Sequence, residues 1–498
     1  MVRPPTLLQF TISSWSCHPF VRSVHEHALS HPPNWSRLHT LSLRVDFEAE
    51  KVKKTVEFLK DFHPPNLKDV AVMLTGYIRT AIELLRGEDT SSLGCSELEH
   101  ELLRFPRHAL TFSVDEPGLH PRRTLFWIRE LGQHFPALRD RNAFALESES
   151  TTDVGHDNAA TTLAVSPDSR RIATGSWDST IILWDSSGEI VHEWVAHPGG
   201  VRSLAFSPDS QRLVSAGMDE KVAIWDLSGG GAHKLATLAG HTHWVSSCAW
   251  SPDGSMIASA CDEAGHKAVT VRLWDARTFA PRRVLAGRAH TKAIYFVCFS
   301  PDGRWLASGG DDRHCCVWAV SSEADADADA DAPHAVLRGH RHRLQAAAFH
   351  PDSVRLCTAA QDRTARIWRV DTGEELLVLR GHEGWVYDVA FSPNWALVLT
   401  ASEDGTVKVW DADGGAMLLS LSGHEETVCS VCFSPCGRYF ASAGEDMTVR
   451  LWRVRDGVCM ETFDDHEGKV SKVAFSPDGR TLCSGAFDGT VFIRSLCN

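Results

Sequence analysis

The residues of this chain that could do chemistry form a repeated set of a histidine, a hydroxyl and an acid. Eight histidines are each followed by a serine or threonine 18 residues later and by an aspartate or glutamate 22 residues later. These side-chain types make up the triad of many hydrolases, so nucleophilic catalysis is one interpretation of the pattern. An enzyme needs one distinct site, whereas this 498-residue chain carries eight equivalent sets. The repetition therefore favours a structural role.

The register of the set is constant along the chain. The histidines are His156, His197, His241, His290, His340, His382, His424 and His466. The hydroxyl residues are Thr174, Ser215, Ser259, Ser308, Thr358, Thr400, Ser442 and Ser484. The acids are Asp178, Asp219, Glu263, Asp312, Asp362, Asp404, Asp446 and Asp488. A tryptophan follows six residues after the acid at Trp184, Trp225, Trp318, Trp368, Trp410 and Trp452. The third copy reaches Trp274 after five extra residues, and the eighth has Arg494 instead.

The segments between these residues predict the strands and turns that position them. "VYDVAFSP" at 386–393 and "VSKVAFSP" at 470–477 are short, apolar and rich in β-forming residues, as buried strands are. "SPDG" at 251–254 places Pro, Asp and Gly where a type I turn accepts them. A second strand, an acid-bearing turn and a third strand ending at tryptophan follow. Units of this size cannot bury both faces alone, so they must stack on one another.

These motifs resemble the WD40-repeat family over roughly residues 155–498. The resemblance implies an all-β propeller, whose blades are four-stranded antiparallel sheets around a central channel. It also implies that the histidine, hydroxyl, acid and tryptophan form a hydrogen-bonded chain inside each blade. Eight complete units favour eight blades, with seven as the alternative. Ring closure would need the segment 142–154 to supply the outer strand of the last blade.

The resemblance also implies where partners bind, namely on the face that carries the histidine and acid turns. The variable positions there lie three and five residues after each histidine and one residue before each acid. Exposed Trp and Tyr are enriched at interaction hot spots, which makes the aromatics at these positions candidates for a partner site. We call the following ten the rim residues: Trp177, Arg202, Met218, Trp244, Tyr295, Arg343, Trp385, Tyr387, Lys469 and Phe487.

The first 148 residues lack the repeat register and are predicted to form a small α+β domain, followed by the propeller at 149–498. Apolar spacing predicts a helix over 66–89, with Asn66 as its cap and Gly87 as its stop. Two more helices are predicted at 96–105 and 122–135. The segment 38–47 has the LxxLxL spacing of a leucine-rich strand.

Three other clusters suggest binding chemistry. Cys429, Cys432 and Cys436 could bind zinc, but Cys432 occupies a small-residue position of the repeat and no second pair is near, so packing is favoured. Arg341–Arg343 form a local basic patch, which is either a solvated loop or a contact for an acidic partner. The run "EADADADADA" at 323–332 is expected to be a disordered insertion.

Charge and composition exclude several classes of function. Residues 1–148 contain 18 basic and 18 acidic residues, so the remaining 32 basic and 46 acidic residues carry the whole net charge of −14. Such a propeller would repel nucleic acid. No apolar run spans a bilayer. Scattered cysteines are typical of reduced thiols in the cytoplasm or nucleus.

The sequence thus predicts a non-catalytic protein-interaction scaffold that needs no metal and no cofactor. Phosphate-binding loops and the common hydrolase motifs are absent from the sequence, which agrees with this prediction. Its specific forms are a substrate receptor of a ubiquitin ligase and a corepressor-type scaffold. An enzyme with its activity in residues 1–148 is the alternative from a different class.

Overall fold

The computed structural model describes residues 9–12, 40–46, 69–75, 110–115, 155–261, 270–285, 290–320 and 332–496. The chain divides into two compact units, Met1–Thr152 and Asp153–Asn498. The acid of the third repeat, Glu263, and nearly all of the acidic run at 323–332 lie outside the described residues.

The first unit contains a four-stranded sheet in chain order. Each strand pairs in parallel with the next one along the chain. A connection between parallel neighbouring strands must return to the end of the sheet at which the first strand began. This requirement explains the long spacing between these strands in the sequence. The strands are β1 (Gln9–Ile12), β2 (Thr40–Asp46), β3 (Asp69–Thr75) and β4 (Leu110–Asp115).

The helix predicted over 66–89 is wrong over its first part, because Asp69–Thr75 is strand β3. Val70, Val72 and Leu74 alternate along this segment, which is the period of a strand, and β3 has partners on both sides in β2 and β4. Those partners are distant in sequence, so helical spacing alone could not reveal them. Strand β2 lies within 38–47, where a strand is predicted. The helices predicted at 96–105 and 122–135 lie outside the described residues.

The second unit is an eight-bladed β-propeller, as the sequence predicts. Blade one contains β5 (Ala160–Val165), β6 (Arg171–Ser176), β7 (Thr180–Asp185) and β8 (Ile190–Val195). Blade two contains β9 (Val201–Phe206), β10 (Arg212–Gly217), β11 (Val222–Asp226) and β12 (His233–Leu238). Blade three contains β13 (Val245–Trp250), β14 (Met256–Cys261), β15 (Val271–Asp275) and β16 (Pro281–Leu285). Blade four contains β17 (Ile294–Phe299), β18 (Trp305–Gly310), β19 (His314–Ala319) and β20 (Ala335–Arg338).

The remaining blades repeat the same antiparallel order. Blade five contains β21 (Leu344–Phe349), β22 (Arg355–Ala360), β23 (Thr364–Arg369) and β24 (Glu375–Arg380). Blade six contains β25 (Val386–Phe391), β26 (Leu397–Ser402), β27 (Thr406–Asp411) and β28 (Met417–Ser422). Blade seven contains β29 (Val428–Phe433), β30 (Tyr439–Gly444), β31 (Val449–Arg453) and β32 (Cys459–Phe463). Blade eight has three described strands, β33 (Val470–Phe475), β34 (Thr481–Ala486) and β35 (Val491–Ser495).

Blade eight packs on blade one and closes the ring. Their inner strands β33 and β5 are neighbours, and the Ser471 hydroxyl donates to the Ala160 carbonyl at 2.6 Å. Gly155 forms an antiparallel bridge to Thr490, next to the start of β35. The segment 142–154, which is predicted to complete this blade, lies outside the described residues.

Tight turns join the first and second strands of each blade. In the turn at 251–254, the Gly254 N–H donates to the Ser251 carbonyl at 2.9 Å. The Ser251 hydroxyl donates to Asp253 at 2.5 Å. Gly254 has a φ of +71°, a conformation that glycine adopts without steric cost. The "SPDG" composition therefore specifies this turn locally.

The apolar core lies between neighbouring blades. Trp410 of blade six packs with Ile367 of blade five and with Val389 and Val398 of its own blade. Trp184 of blade one similarly packs against Val491 of blade eight. Each blade buries its two sheet faces against the two neighbouring blades. The closed ring therefore fixes the positions of the turns at its two ends relative to one another.

Candidate functional site

Blade six shows how the repeated side chains are connected. His382 Nδ1 lies 2.8 Å from Asp404 Oδ2, and His382 Nε2 lies 2.7 Å from Thr400 Oγ1. The Trp410 indole N–H donates to Thr400 Oγ1 at 2.8 Å. An ionised carboxylate only accepts hydrogen bonds, so His382 donates through Nδ1 and accepts the Thr400 hydroxyl through Nε2. The four side chains form one continuous chain of hydrogen bonds.

The strands of the blade place these groups together. Thr400 lies in β26 and Trp410 in β27, which pair with Val398 opposite Trp410. Asp404 lies in the turn between these strands, where its Oδ1 accepts the Thr406 hydroxyl at 2.6 Å. Its Oδ2 also accepts the backbone N–H of Glu383 at 2.9 Å. The acid therefore fastens the loop before β25 to the turn after β26.

These bonds control the ionisation of the acids. Burial raises the pKa of Asp404, but hydrogen bonds from His382 and Thr406 outweigh burial and hold the pKa well below its usual range. Burial likewise raises the pKa of Asp446, and the hydrogen bond from His424 outweighs it, giving a pKa of about 2. Both carboxylates are charged at neutral pH, and they accept hydrogen bonds from the histidine and threonine of their own blade.

The same arrangement recurs in other blades. The histidine-to-acid distances are 3.2 Å for His156–Asp178, 2.8 Å for His197–Asp219, 2.8 Å for His290–Asp312, 3.0 Å for His340–Asp362 and 2.9 Å for His424–Asp446. The indole N–H donates to the hydroxyl at 2.9 Å in Trp184–Thr174 and at 2.8 Å in Trp225–Ser215, Trp274–Ser259, Trp318–Ser308, Trp368–Thr358 and Trp452–Ser442.

Blade eight departs from this arrangement, and in blade three the acid, Glu263, lies outside the described residues. His241 Nδ1 lies 3.5 Å from Thr270 Oγ1, and burial lowers the pKa of His241 to about 3. His466 Nδ1 contacts Thr490 Oγ1 at 2.5 Å rather than Asp488. Asp488 is exposed and receives the Thr490 hydroxyl at 2.6 Å. Asp488 is thus linked to His466 through Thr490, not directly as the resemblance implies.

The eight hydroxyl residues of the sets have a relative exposure of 0%. A nucleophile must reach the reacting atom of a substrate, and these hydroxyls reach no solvent. The triad-like composition therefore stabilises blades and does not carry out catalysis.

The cysteines of "CSVCFSPC" are separated by their surroundings. Cys432 packs in the core between blades seven and eight, and burial raises the pKa of its thiol to about 12. Burial also raises the pKa of Cys429 to about 12. Cys436 is exposed in the following turn. In the part of the chain that the structure describes, no three His, Cys, Asp or Glu side chains converge on one point.

Backbone hydrogen bonds pair the rim positions in seven of the blades; the corresponding residue of blade three lies outside the described residues. In these seven blades the residue before the acid donates its N–H to the carbonyl of the residue three after the histidine. This bond measures 2.8 Å for Phe487–Lys469 and 2.8 Å for Glu403–Trp385. It measures 3.0 Å for Met218–Gly200. The fixed sequence offsets therefore bring two positions per blade to one face.

The aromatic rim residues form separate contacts. Trp177 and Phe487, from blades one and eight, meet edge to face with ring centroids 5.8 Å apart. The ring centroids of Trp385 and Tyr387 lie 6.4 Å apart in blade six. The ring centroids of Trp244 and His243 lie 5.3 Å apart. Trp177, Trp244, Trp385 and Phe487 are 38–45% exposed, whereas Tyr295, Tyr387 and Met218 are half-buried.

The charged rim residues are held by neighbouring acids or by packing. Arg343 Nε lies 3.2 Å from Asp311 of blade four, and its Nη1 donates to the Tyr295 hydroxyl at 3.4 Å. Lys469 pairs with Glu445 of blade seven at 3.0 Å. Arg202 is half-buried.

The sequence pattern missed the contacts that join adjacent blades near this face. Asp388 of β25 accepts the Ser430 hydroxyl at 2.9 Å and the Val431 N–H at 3.1 Å, both in blade seven. The Thr161 hydroxyl of blade one donates to the Val201 carbonyl of blade two at 2.7 Å. A polar residue near the start of each inner strand is the only sequence signal for these contacts.

The comparison with known families agrees with this geometry. The family described as "WD domain, G-beta repeat" matches the chain eight times, and the chain belongs to this family. The matches cover 148–185, 188–226, 232–264, 281–319, 332–369, 373–411, 415–453 and 457–495.

Particular relatives share a smaller part of the chain. The guanine nucleotide-binding protein subunit beta of Oryza sativa subsp. indica is 28% identical over 143 residues, and that of Zea mays is 29% identical over the same length. These matches cover 28% of this chain and 36% of each relative, so the chain spans little more than a third of their length.

Among solved structures, a crystal structure of the computationally designed Ika8 protein is similar, with a TM-score of 0.59 and 27% identity. The match covers 69% of this chain and 98% of Ika8. Within the described residues, no helix has the length and apolarity needed to cross a membrane.

Proposed function

We propose that this chain is a non-catalytic protein-interaction scaffold whose rim residues recognise partner proteins. The observation that carries the proposal is the exposure of large aromatic side chains on the face where the sets lie. Trp244 is 42% exposed, Trp385 is 40% exposed and Phe487 is 45% exposed. Burying such side chains against a partner contributes strongly to affinity. The chemically capable hydroxyls beneath them are sealed from solvent.

The relatives support this proposal at the level of class. Their name, guanine nucleotide-binding protein subunit beta, is that of one subunit of a protein assembly. The described cysteines are free thiols, which fits a reducing compartment and supports the cytoplasm or nucleus as the location. The negative charge of the propeller favours protein partners over nucleic acid.

The proposal is tested with a variant of the rim. Trp385→Ala with Tyr387→Ala should abolish or strongly weaken partner capture in a pull-down, because each large aromatic contributes about 2 kcal/mol when it is desolvated at an interface. The melting temperature should stay near that of the unmodified protein, since Trp385 lies on the surface. An unchanged partner list together with a lowered melting temperature would reject the rim as the recognition surface.

Affinity purification with mass spectrometry on the full chain and on residues 149–498 identifies the specific role. Ligase subunits that require residues 1–148 would support a ubiquitin-ligase substrate receptor. Chromatin factors would support a corepressor-type scaffold.

A matched variant at the opposite face, Arg170→Gln, controls for non-specific capture, because Arg170 is exposed in the turn between β5 and β6.

A further inference from the structure

Among the described residues of the propeller face with the rim residues, five cations lie on the neighbouring blades four and five. We define the basic sector as Lys292, Arg313, Arg341, Arg343 and Arg363, on blades four and five. All five side chains are exposed. The whole chain has a net charge of −14, so a concentration of cations on one face stands out against the rest of the protein.

The fold brings three of these arginines together in blade five. Asp362 Oδ2 accepts the Arg341 N–H at 2.9 Å, and the Gln361 N–H donates to the Arg343 carbonyl at 3.0 Å. These bonds hold the loop before β21 against the turn after β22. Arg363 follows Asp362 in that turn, so it lies beside Arg341 and Arg343. The buried set of blade five therefore supports the basic sector.

The neighbouring blade extends the basic sector. Asp311 of blade four lies 3.2 Å from Arg343 Nε and 3.9 Å from Lys292 Nζ, so one carboxylate joins the two blades. Lys292 remains 62% exposed and Arg343 47% exposed. Within the described residues, the side chains of Arg313, Arg341 and Arg363 have no ion-pair partner. Asp312 and Asp362 are only 2% and 5% exposed, and their oxygens accept bonds from inside the blades.

The corresponding loops of the following blades carry the opposite charge. Glu383 and Glu403 lie in blade six, Glu425 and Glu445 in blade seven, and Glu467 in blade eight. In blades seven and eight the rim cation Lys469 pairs with Glu445 at 3.0 Å. An acidic partner is therefore attracted by the basic sector and repelled by the glutamates of blade six next to it. This charge separation defines a position for such a partner on the ring.

We infer that the basic sector binds an acidic peptide segment of a partner protein. The inference rests on the proposed function and names one class of partner for the face. A peptide is favoured over nucleic acid because an extended phosphate backbone running from the sector towards blades six to eight would meet their glutamates. Carboxylates of the peptide would receive hydrogen bonds from the guanidinium groups of Arg341 and Arg363.

Blade six supplies substitutions that suit the backbone of blade five. Glu383, Trp385 and Gly405 occupy the positions of Arg341, Arg343 and Arg363. Arg363 has a φ of +67° and Gly405 a φ of +74°, so glycine is compatible with the turn. The triple variant Arg341→Glu, Arg343→Trp, Arg363→Gly therefore replaces the three cations of blade five by residues that the same positions of blade six already accommodate. A milder variant, Arg341→Gln with Arg363→Gln, leaves the Arg343–Asp311 contact intact.

The experiment measures fluorescence anisotropy of a labelled peptide of alternating Asp and Ser with the full-length protein. We expect the triple variant to lower affinity by at least about tenfold, since three positive charges of the sector are lost and one negative charge is added. The milder variant should lower it by a smaller factor, and added salt should weaken binding to the unmodified protein. The control Arg170→Gln with Arg480→Gln, which removes exposed cations from the opposite face, should bind like the unmodified protein.

Equal affinity of the triple variant and the unmodified protein would overturn the inference, as would equal losses in the control. Duplex DNA that binds as tightly as the peptide and depends on the same arginines would also overturn it. If the unmodified protein does not bind the peptide, this inference is rejected, while the proposed function is still decided by partner capture with the Trp385 and Tyr387 variant. Partner capture that depends on Trp385 and Tyr387 while the acidic peptide fails to bind would reject this inference and retain the rim as a recognition surface.

Discussion

Blades six and eight contain the same histidine, hydroxyl and acid at the same spacing, yet their side chains connect differently. In blade six, Asp404 bonds His382 directly and its side chain is 13% exposed. In blade eight, Asp488 is exposed and Thr490 stands between it and His466. The indole of blade six is replaced by Arg494, whose Nη1 donates to Ser484 Oγ at 3.0 Å.

The difference shows that sequence spacing brings the histidine, hydroxyl and acid into the same part of each blade. The residues around them determine which of these side chains form direct hydrogen bonds. Arg494 supplies the donor that tryptophan supplies elsewhere, and its guanidinium also bonds Asp465 at 2.6 Å. It stacks 4.6 Å from the Phe463 ring and 4.8 Å from the Phe492 ring. Blade eight therefore satisfies its hydroxyl by a cation held between aromatic rings, and the direct histidine-to-acid bond is absent.

The comparison predicts its largest effect at the acid of blade six. Asp404→Ala should lower the free energy of unfolding by about 3 kcal/mol, because His382, Thr406 and the Glu383 N–H lose a buried acceptor. Chemical denaturation monitored by tryptophan fluorescence measures the change. Asp404→Asn, which keeps an acceptor oxygen, should be less destabilised. A variant as stable as the unmodified protein would refute the role of the bond.

Acidification should separate blade eight from blade six. Burial lowers the pKa of His466 to about 4, whereas an unfolded histidine titrates near its ordinary value of 6.5. Between these pH values the unfolded chain binds more protons, so the free energy of unfolding falls as pH decreases through this window. The acid of blade six, with its lowered pKa, contributes stability that is lost only below about pH 3.8.

The variant His466→Gln tests this assignment by removing one titrating group. Its denaturation midpoint should depend less steeply on pH between about 6.5 and 4 than that of the unmodified protein. His241, whose pKa burial lowers to about 3, should still contribute a slope in both proteins. An identical pH dependence with and without His466 would contradict the prediction.

A smaller effect is expected at Arg494. Arg494→Ala should lower the free energy of unfolding by about 1–2 kcal/mol, because Ser484 loses its donor and two aromatic rings lose a stacked cation. Arg494→Trp restores the residue of the other blades and should be at least as stable as Arg494→Ala. Thermal unfolding of the two variants side by side gives the comparison. Equal melting of Arg494→Ala and the unmodified protein would show that the guanidinium contributes nothing.

The smallest effect is expected at the acid of blade eight. Asp488→Ala should change the free energy of unfolding by about 0.5 kcal/mol, since water can replace its bonds to the exposed turn. The same denaturation experiment as for Asp404→Ala applies. If the two alanine variants lost equal stability, the difference between the blades would have no energetic meaning.

The fold of the propeller was predictable because its signals are local and repeated. The turn at 251–254 and the tryptophan that follows the acid in seven of the eight copies specify strand ends within a few residues, and eight copies reinforce one register. The N-terminal unit lacks such repetition. There, β3 was predicted as a helix, because the parallel partners that fix it lie about 30 residues before it and about 40 residues after it in sequence.

The sequence by itself indicated the propeller, with eight blades favoured over seven, the residues that form the buried set in blades one, two and four to seven, and the positions that lie at the rim. Those features follow from fixed offsets along the chain. Only the tertiary structure decided that Thr490 separates His466 from Asp488, that Trp177 meets Phe487 across the closure of the ring, and that Asp311 joins Lys292 to Arg343. These contacts join groups from different strands and blades. Their distances depend on how the sheets pack, which no spacing within one repeat encodes.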